Sequence, residues 1–130
     1  MTRGKKVNIS DCELEIMKAL WERSPQSFPE IVLNVQKNNS WEGVTIKTML
    51  TRLFKKGAVK QEGIRRLYRY SPLVSREDYL EQASENFLTK TFAGAPGAML
   101  SFFVRKGKIS GEDIAELQQQ LAEMESDLHE

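Results

Sequence analysis

Thr45-Ile46-Lys47-Thr48-Met49-Leu50-Thr51-Arg52-Leu53-Phe54-Lys55-Lys56-Gly57, with the segment 58–70 that follows it, is the most informative part of this chain. A helix turns about 100° per residue. With Thr45 at zero, Met49, Leu53, Ile46 and Leu50 fall between about 40° and 140°, as one core stripe. Thr51, Val44, Lys55, Thr48 and Arg52 fall between about 240° and 340°. That second face holds small hydroxyls, long cations and one valine, and no acid. The pattern predicts a helix over residues 42–56, stopped by Gly57, with Lys55 and Lys56 in its last turn. Two short strands, 58–62 and 66–70, should then flank Gly63-Ile64-Arg65 as a tight turn.

Two more helices precede this unit. Ser10-Asp11-Cys12-Glu13 reads as a capping box. Cys12, Ile16, Ala19 and Leu20 recur at helical spacing, widened by Leu14, Met17 and Trp21, and Ser24-Pro25 ends the helix. Cys12 is therefore expected as a buried structural thiol, and Trp21 and Trp41 as packing anchors. A second helix should start at Ser27, tolerate Pro29 in its first turn and carry Ile31, Val32 and Val35. Three helices and a hairpin within about 62 residues is the order of a winged helix-turn-helix, in a mainly α chain.

Ser71-Pro72-Leu73-Val74 breaks the pattern and divides the sequence into a winged-helix domain, 1–71, and a helical domain, 72–130. Ser75-Arg76-Glu77-Asp78 opens a helix to about residue 91, with Tyr79, Leu80, Ala83, Phe87 and Leu88 on its apolar side. After the break at 94–97, residues 98–104 are apolar at all but Ser101, which predicts a helix buried on most sides. Ser110 should cap the last helix, with Asp113 at its third position. Ile114, Leu117, Leu121, Met124 and Leu128 space as a heptad-like seam. One chain of this size has little to bury two such seams against. Tyr79, Phe87, Leu88, Met99, Leu100, Phe102, Phe103, Ile114, Leu117, Leu121 and Met124 are accordingly expected at a homodimer interface. Phe87, Phe92, Phe102 and Phe103 read as dimer core in preference to an effector pocket.

Composition narrows the function. The 130 residues include 19 Lys+Arg, 18 Asp+Glu, one His and one Cys. The near-neutral total hides a split: residues 1–71 carry +7 and residues 72–130 carry −6. A basic half joined to an acidic half points to a nucleic-acid-binding part and a part with another task. A lone histidine near the end leaves no room for a Ser-His-Asp triad, and no glycine-rich phosphate loop is present. Glu112, Asp113 and Glu116 form a solvated helix start, favoured by the helix dipole. We therefore expect no enzyme, metal or cofactor. No run approaches the ~20 apolar residues of a membrane span, and the basic start, 1–6, lacks the apolar stretch of a secretory signal. A single cysteine fits a reducing cytoplasm.

The cationic face of the third helix suits the major groove. Threonine can bond a base edge or meet a thymine methyl, and arginine and lysine pair with guanine or phosphate. Thr45, Thr48 and Arg52 are the expected groove contacts, with Val44 and Thr51 on the same face. Lys47, Lys55, Arg65 and Arg66 are the expected phosphate contacts. Arg69 clusters with Arg65 and Arg66 at or near the hairpin tip. Arg3, Lys5 and Lys6 read equally as an arm touching phosphates or as an unstructured tail. The alternative class is a winged-helix module that docks a protein partner without DNA.

These residues resemble a known family. Ile9-Ser10, then Glu15-Ile16-Met17-Lys18-Ala19-Leu20-Trp21, is similar to the opening of the penicillinase-repressor family (BlaI/MecI/CopY). Trp41, then Thr45 to Leu53 and Lys56-Gly57, is similar too, as is Tyr68-Arg69-Tyr70-Ser71-Pro72-Leu73-Val74-Ser75. The likeness runs from Ile9 to about Leu121. It implies a dimeric bacterial repressor whose winged helix binds double-stranded, palindromic operator DNA. In β-lactam-responsive members a membrane sensor signals, and the repressor is cleaved within an Asn-Phe pair. The matching bond here is Ser101-Phe102, with serine in place of asparagine. The copper-responsive members' C-terminal cysteine cluster has no counterpart in residues 125–130. Val44 stands where many members carry a basic residue, which implies a different operator.

Overall fold

The computed structural model describes residues 7–128. Arg3, Lys5 and Lys6 of the basic start, and His129, lie outside the described residues. Chain order is α1 (Asp11–Glu22), β1 (Gln26–Ser27), α2 (Phe28–Gln36), α3 (Gly43–Lys56), β2 (Val59–Glu62), β3 (Arg69–Pro72), α4 (Arg76–Phe92), α5 (Pro96–Arg105) and α6 (Gly111–Leu128).

The helix starts follow their local chemistry. The Glu13 amide donates to Ser10 Oγ at 3.2 Å, and the Ser10 amide to Glu13 Oε1 at 3.0 Å. Ser27 and Glu30 repeat this reciprocal cap on α2, and Ser110 and Asp113 on α6. Gly57 ends α3 at φ 80°, a left-handed position where a Cβ is disfavoured. The sheet runs β1-β3-β2, antiparallel, with Gln26 opposite Tyr70 and Glu62 opposite Arg69. The first strand is two residues long, too short to leave any periodic signal.

The core of the first unit is built from Ile16, Met17 and Leu20 of α1, Ile31 and Val35 of α2, Ile46, Met49, Leu50 and Leu53 of α3, and Val59 and Tyr70 of the sheet. Two polar side chains are sealed among them. Gln26 donates from Nε2 to the carbonyls of Ala19 (2.9 Å) and Arg23, and accepts at Oε1 from Asn34 Nδ2 at 2.6 Å. It thereby gives a donor to the Arg23 carbonyl at the C-cap of α1 and a second donor to that of Ala19, which already accepts from the Arg23 amide. Glu13 is the other, bound by Ser10 and by Lys56. Cys12, expected to be buried, is exposed. The inward position of the first turn belongs to its neighbour, because Lys56 satisfies the Glu13 carboxylate there.

The chain divides into two compact units, Met1–Ala83 and Ser84–Glu130. The first extends past the expected limit at Ser71. Val74 is buried in its core, Trp21 Nε1 donates to the Val74 carbonyl at 2.8 Å, and the rings of Trp21 and Tyr79 lie 5.6 Å apart. Tyr79, expected at a dimer seam, is thus packed against Trp21 of its own chain.

The second unit buries little of its apolar surface. Helix α5, expected to be buried on most sides, has no fully buried residue. Met99, Leu100 and Phe103 are half-buried, while Phe102 and Val104 are exposed. Leu88 is half-buried and Phe87 exposed on α4. Phe87, Phe92, Phe102 and Phe103 form a chain of tilted rings 5.8–6.1 Å apart. On α6, Leu117 is half-buried, and Ile114, Leu121, Met124 and Leu128 are 41–80% exposed. No single helix among the described residues is long and apolar enough to cross a membrane.

Candidate nucleic-acid interface

Helix α3 is two-faced, as its angular pattern requires. Ile46, Met49, Leu50 and Leu53 point into the core, and Val44, Thr45, Lys47, Thr48, Thr51, Arg52 and Lys55 are all exposed. Its first turn holds no acid, and its N-cap residue Glu42 makes no side-chain cap bond. The positive end of the helix dipole is therefore not countered by a carboxylate in that turn. Glu42 itself, one position earlier, is an exposed acid beside the cationic face. Only the exact start of the helix gives it that place.

Two of the expected contacts are already engaged inside the protein. Thr48 Oγ1 donates to the Val44 carbonyl at 3.1 Å. Lys47 Nζ sits 5.0 Å from the centroid of the Phe28 ring and 5.9 Å from that of Tyr70. This cation–π contact holds the lysine at the junction of α2, α3 and the sheet. There it lines an open cavity of about 280 Å³ with Ser27, Phe28, Arg66, Tyr68 and Tyr70. The fold so brings Lys47 of the helix and Arg66 of the hairpin to one hollow. Sequence spacing gives no sign of that pairing, because it depends on the hairpin's path.

The hairpin differs from its expected form. Arg66, predicted to begin a strand, lies in the tip at φ 72°. The Leu67 amide donates to the Ile64 carbonyl at 2.8 Å and closes the turn over Ile64 to Leu67. The tip is thus six residues, 63–68, and projects both Arg65 and Arg66. Arg69 is not part of it: it pairs in β3 opposite Ser27 and places its guanidinium 3.6 Å from Glu30. Hydrogen bonds from the Ser27 amide and hydroxyl, then the charges of Arg23 and Arg69, hold the Glu30 carboxyl below its ordinary value.

Gly63 makes this tip possible. Its φ is 107°, and a Cβ there would stand 2.8 Å from the Leu67 carbonyl oxygen. Gly63→Ala is expected to destabilise the first unit by about 1–2 kcal/mol. Thermal unfolding measures this, with Ile64→Ala at the exposed tip as a neutral control. Equal midpoints for Gly63→Ala and the unsubstituted protein would show that the tip relaxes without strain.

Lys56 is a contribution that sequence reading missed. From the last turn of α3 its Nζ pairs with the buried Glu13 carboxylate and donates to the Asn8 carbonyl at 2.7 Å. The signal was present as a cation beside the helix stop. Its partner lies 43 residues away, beyond any local pattern. In the second unit, Ser101 is exposed in α5 and accepts from Arg105 Nη1 at 2.9 Å. Among the described residues no cluster of three His, Cys, Asp or Glu side chains has metal-holding geometry.

Comparison with known proteins agrees with this geometry. The chain is 39% identical over 120 residues to the penicillinase repressor of Bacillus licheniformis, covering 92% of this chain and 94% of that one. It is 32% identical over 114 residues to the methicillin resistance regulatory protein MecI of Staphylococcus aureus strain N315, covering 88% and 93%. The solution structure of the DNA-binding domain of the repressor BlaI superposes with a TM-score of 0.52 at 41% identity, over 58% of this chain and 93% of that one. The monomeric form of Bacillus licheniformis BlaI, solved in complex with the blaP half-operator, gives 0.51 at 40% identity, over 57% and 92%. The first unit is accordingly a winged helix. The sequence model of the penicillinase repressor family matches residues 9–123. With that match spanning both units, the chain belongs to the penicillinase repressor family.

Proposed function

We propose that this protein is a homodimeric transcriptional repressor that binds a two-fold operator through α3 and the hairpin tip. It belongs to a family of repressors, not of enzymes. The observation that carries the reading is the exposed hydroxyl and cation face of α3, acid-free through its first turn, with Arg65 and Arg66 projecting from the tip of the adjoining hairpin. Thr45, Thr48 and Arg52 would face base edges, with Val44 and Thr51 beside them. Lys47, Lys55, Arg65 and Arg66 would meet phosphates, which set register and orientation. The relative solved with the blaP half-operator supports the assignment to duplex DNA. Two copies joined through their second units would present two recognition helices to successive major grooves.

The site of action is the cytoplasm, where the DNA is. Induction follows from whatever separates the two heads. The Ser101-Phe102 bond, where serine replaces the family's asparagine, lies inside α5, so cutting it would require local unwinding of the helix.

The test is binding to random duplex DNA across a salt series. Log K is expected to fall linearly with log salt, by about 0.9 per phosphate contact. Arg65→Ala should reduce that slope by about 1 and weaken all sequences alike. A protein indifferent to duplexes even at low salt would instead favour the partner-docking module.

A further inference from the structure

Val44 is out of place by every local rule. It is 78% exposed, more than any other large apolar side chain in the first unit. As a β-branched residue it is a weak helix former. It occupies the second position of α3, in the turn where the dipole favours acids. Folding gives it no partner.

Its neighbour one turn on is Thr48, also exposed. The Thr48 hydroxyl proton is committed to the Val44 carbonyl at 3.1 Å, which leaves its methyl group and an oxygen lone pair for an outside partner. The pair therefore puts three methyl groups on the leading turns of a face that is otherwise cationic. Among base edges in the major groove the matching apolar group is the thymine C5-methyl. Residues at the N-terminal end of a recognition helix are those that reach base edges.

We infer that Val44 and Thr48 form a methyl-reading surface that selects thymine in each half-site of the operator. The inference rests on the repressor reading above and deepens it. Valine has no donor, so this position cannot demand guanine as a lysine or arginine would. It discriminates thymine from cytosine by the methyl, and it adds nothing to the salt dependence.

The experiment uses duplexes selected by the full-length protein from a random 24-base-pair pool. Each thymine of the recovered duplex is replaced in turn by deoxyuridine, which removes one methyl group and leaves the protein untouched. At one or more positions per half-site the affinity should drop about four-fold, the effect of one buried methyl(ene) group. With Val44→Ala that drop should shrink toward none, while the salt slope stays unchanged. Val44 is exposed, and circular dichroism checks that the variant keeps its fold. Enriched duplexes indifferent to every thymine-to-uracil change would overturn the inference while leaving the repressor reading intact, as would a penalty that Val44→Ala fails to alter. Failure to enrich any sequence, with no binding to the pool at low salt, would overturn both.

Discussion

Leu121→Asp together with Met124→Asp is expected to yield a folded monomer whose affinity for a selected two-fold duplex is lower by about 10²- to 10⁴-fold. Leu121 and Met124 are 52% and 60% exposed on α6, between Leu117 and Leu128 in the same seam. Each such side chain is worth about 1.5–3 kcal/mol when fully buried. A carboxylate forced into that environment costs more than the lost apolar area, because it would be stripped of water without a partner. Neither side chain is buried within its own chain, so the folded protomer should survive. The DNA effect follows from geometry: when two heads are joined, binding of one raises the effective concentration of the other. Light scattering gives the mass, and titration of full-site and half-site duplexes gives the affinities. Half-site affinity should be unchanged. A variant that still weighs two chains, or that keeps its full-site affinity, would remove α6 from the interface.

Lys56→Met should lower the thermal midpoint by about 10 °C at neutral pH. Breaking a buried ion pair costs about 3–5 kcal/mol because one charge remains buried and unpaired. The Glu13 side chain is 2% exposed and that of Lys56 35%, so water offsets part of this and roughly 2 kcal/mol is expected. Acidification gives a second reading. Burial raises the Glu13 carboxyl pKa, but the hydrogen bond from Lys56, the bonds from Ser10 and the attraction of the Lys56 charge outweigh it. The net value lies below the ordinary 4.5. A depressed carboxyl stabilises the fold fully above its unfolded value and loses that contribution as pH falls through the folded one. The deficit of Lys56→Met should therefore narrow once the pH drops below about 4.5. Calorimetry at neutral and acid pH tests this, and an equal deficit at both would mean that the pair contributes nothing through charge.

The legible parts of the structure were those governed by neighbours within a turn or two. Ser10, Ser27 and Ser110 cap their helices because a hydroxyl three residues before an amide reaches it whatever else the chain does. The two faces of α3 separate because the stripe from Ile46 to Leu53 is continuous at helical spacing. Cys12 was misread because its position and that of Glu13 both lie near the inner side of α1. Hydrophobicity favours the cysteine, and a cation from a distant helix favours the glutamate. The strand Gln26–Ser27 and the path of the hairpin tip were illegible for a related reason. Both are set by pairing with β3 and by backbone geometry at Gly63 and Arg66.

By itself, the sequence determined the helix order, the caps and stops, the cationic face of α3 and the unmatched apolar seams. All of these follow from periodicity and short-range bonding. Tertiary structure decided which groups meet across long separations. It brought Lys56 to Glu13, Tyr79 to Trp21, Lys47 to Phe28 and Tyr70, and Arg66 to the hollow beside Lys47. Such meetings depend on how packed elements cross, and a one-dimensional pattern of side chains carries no record of that crossing.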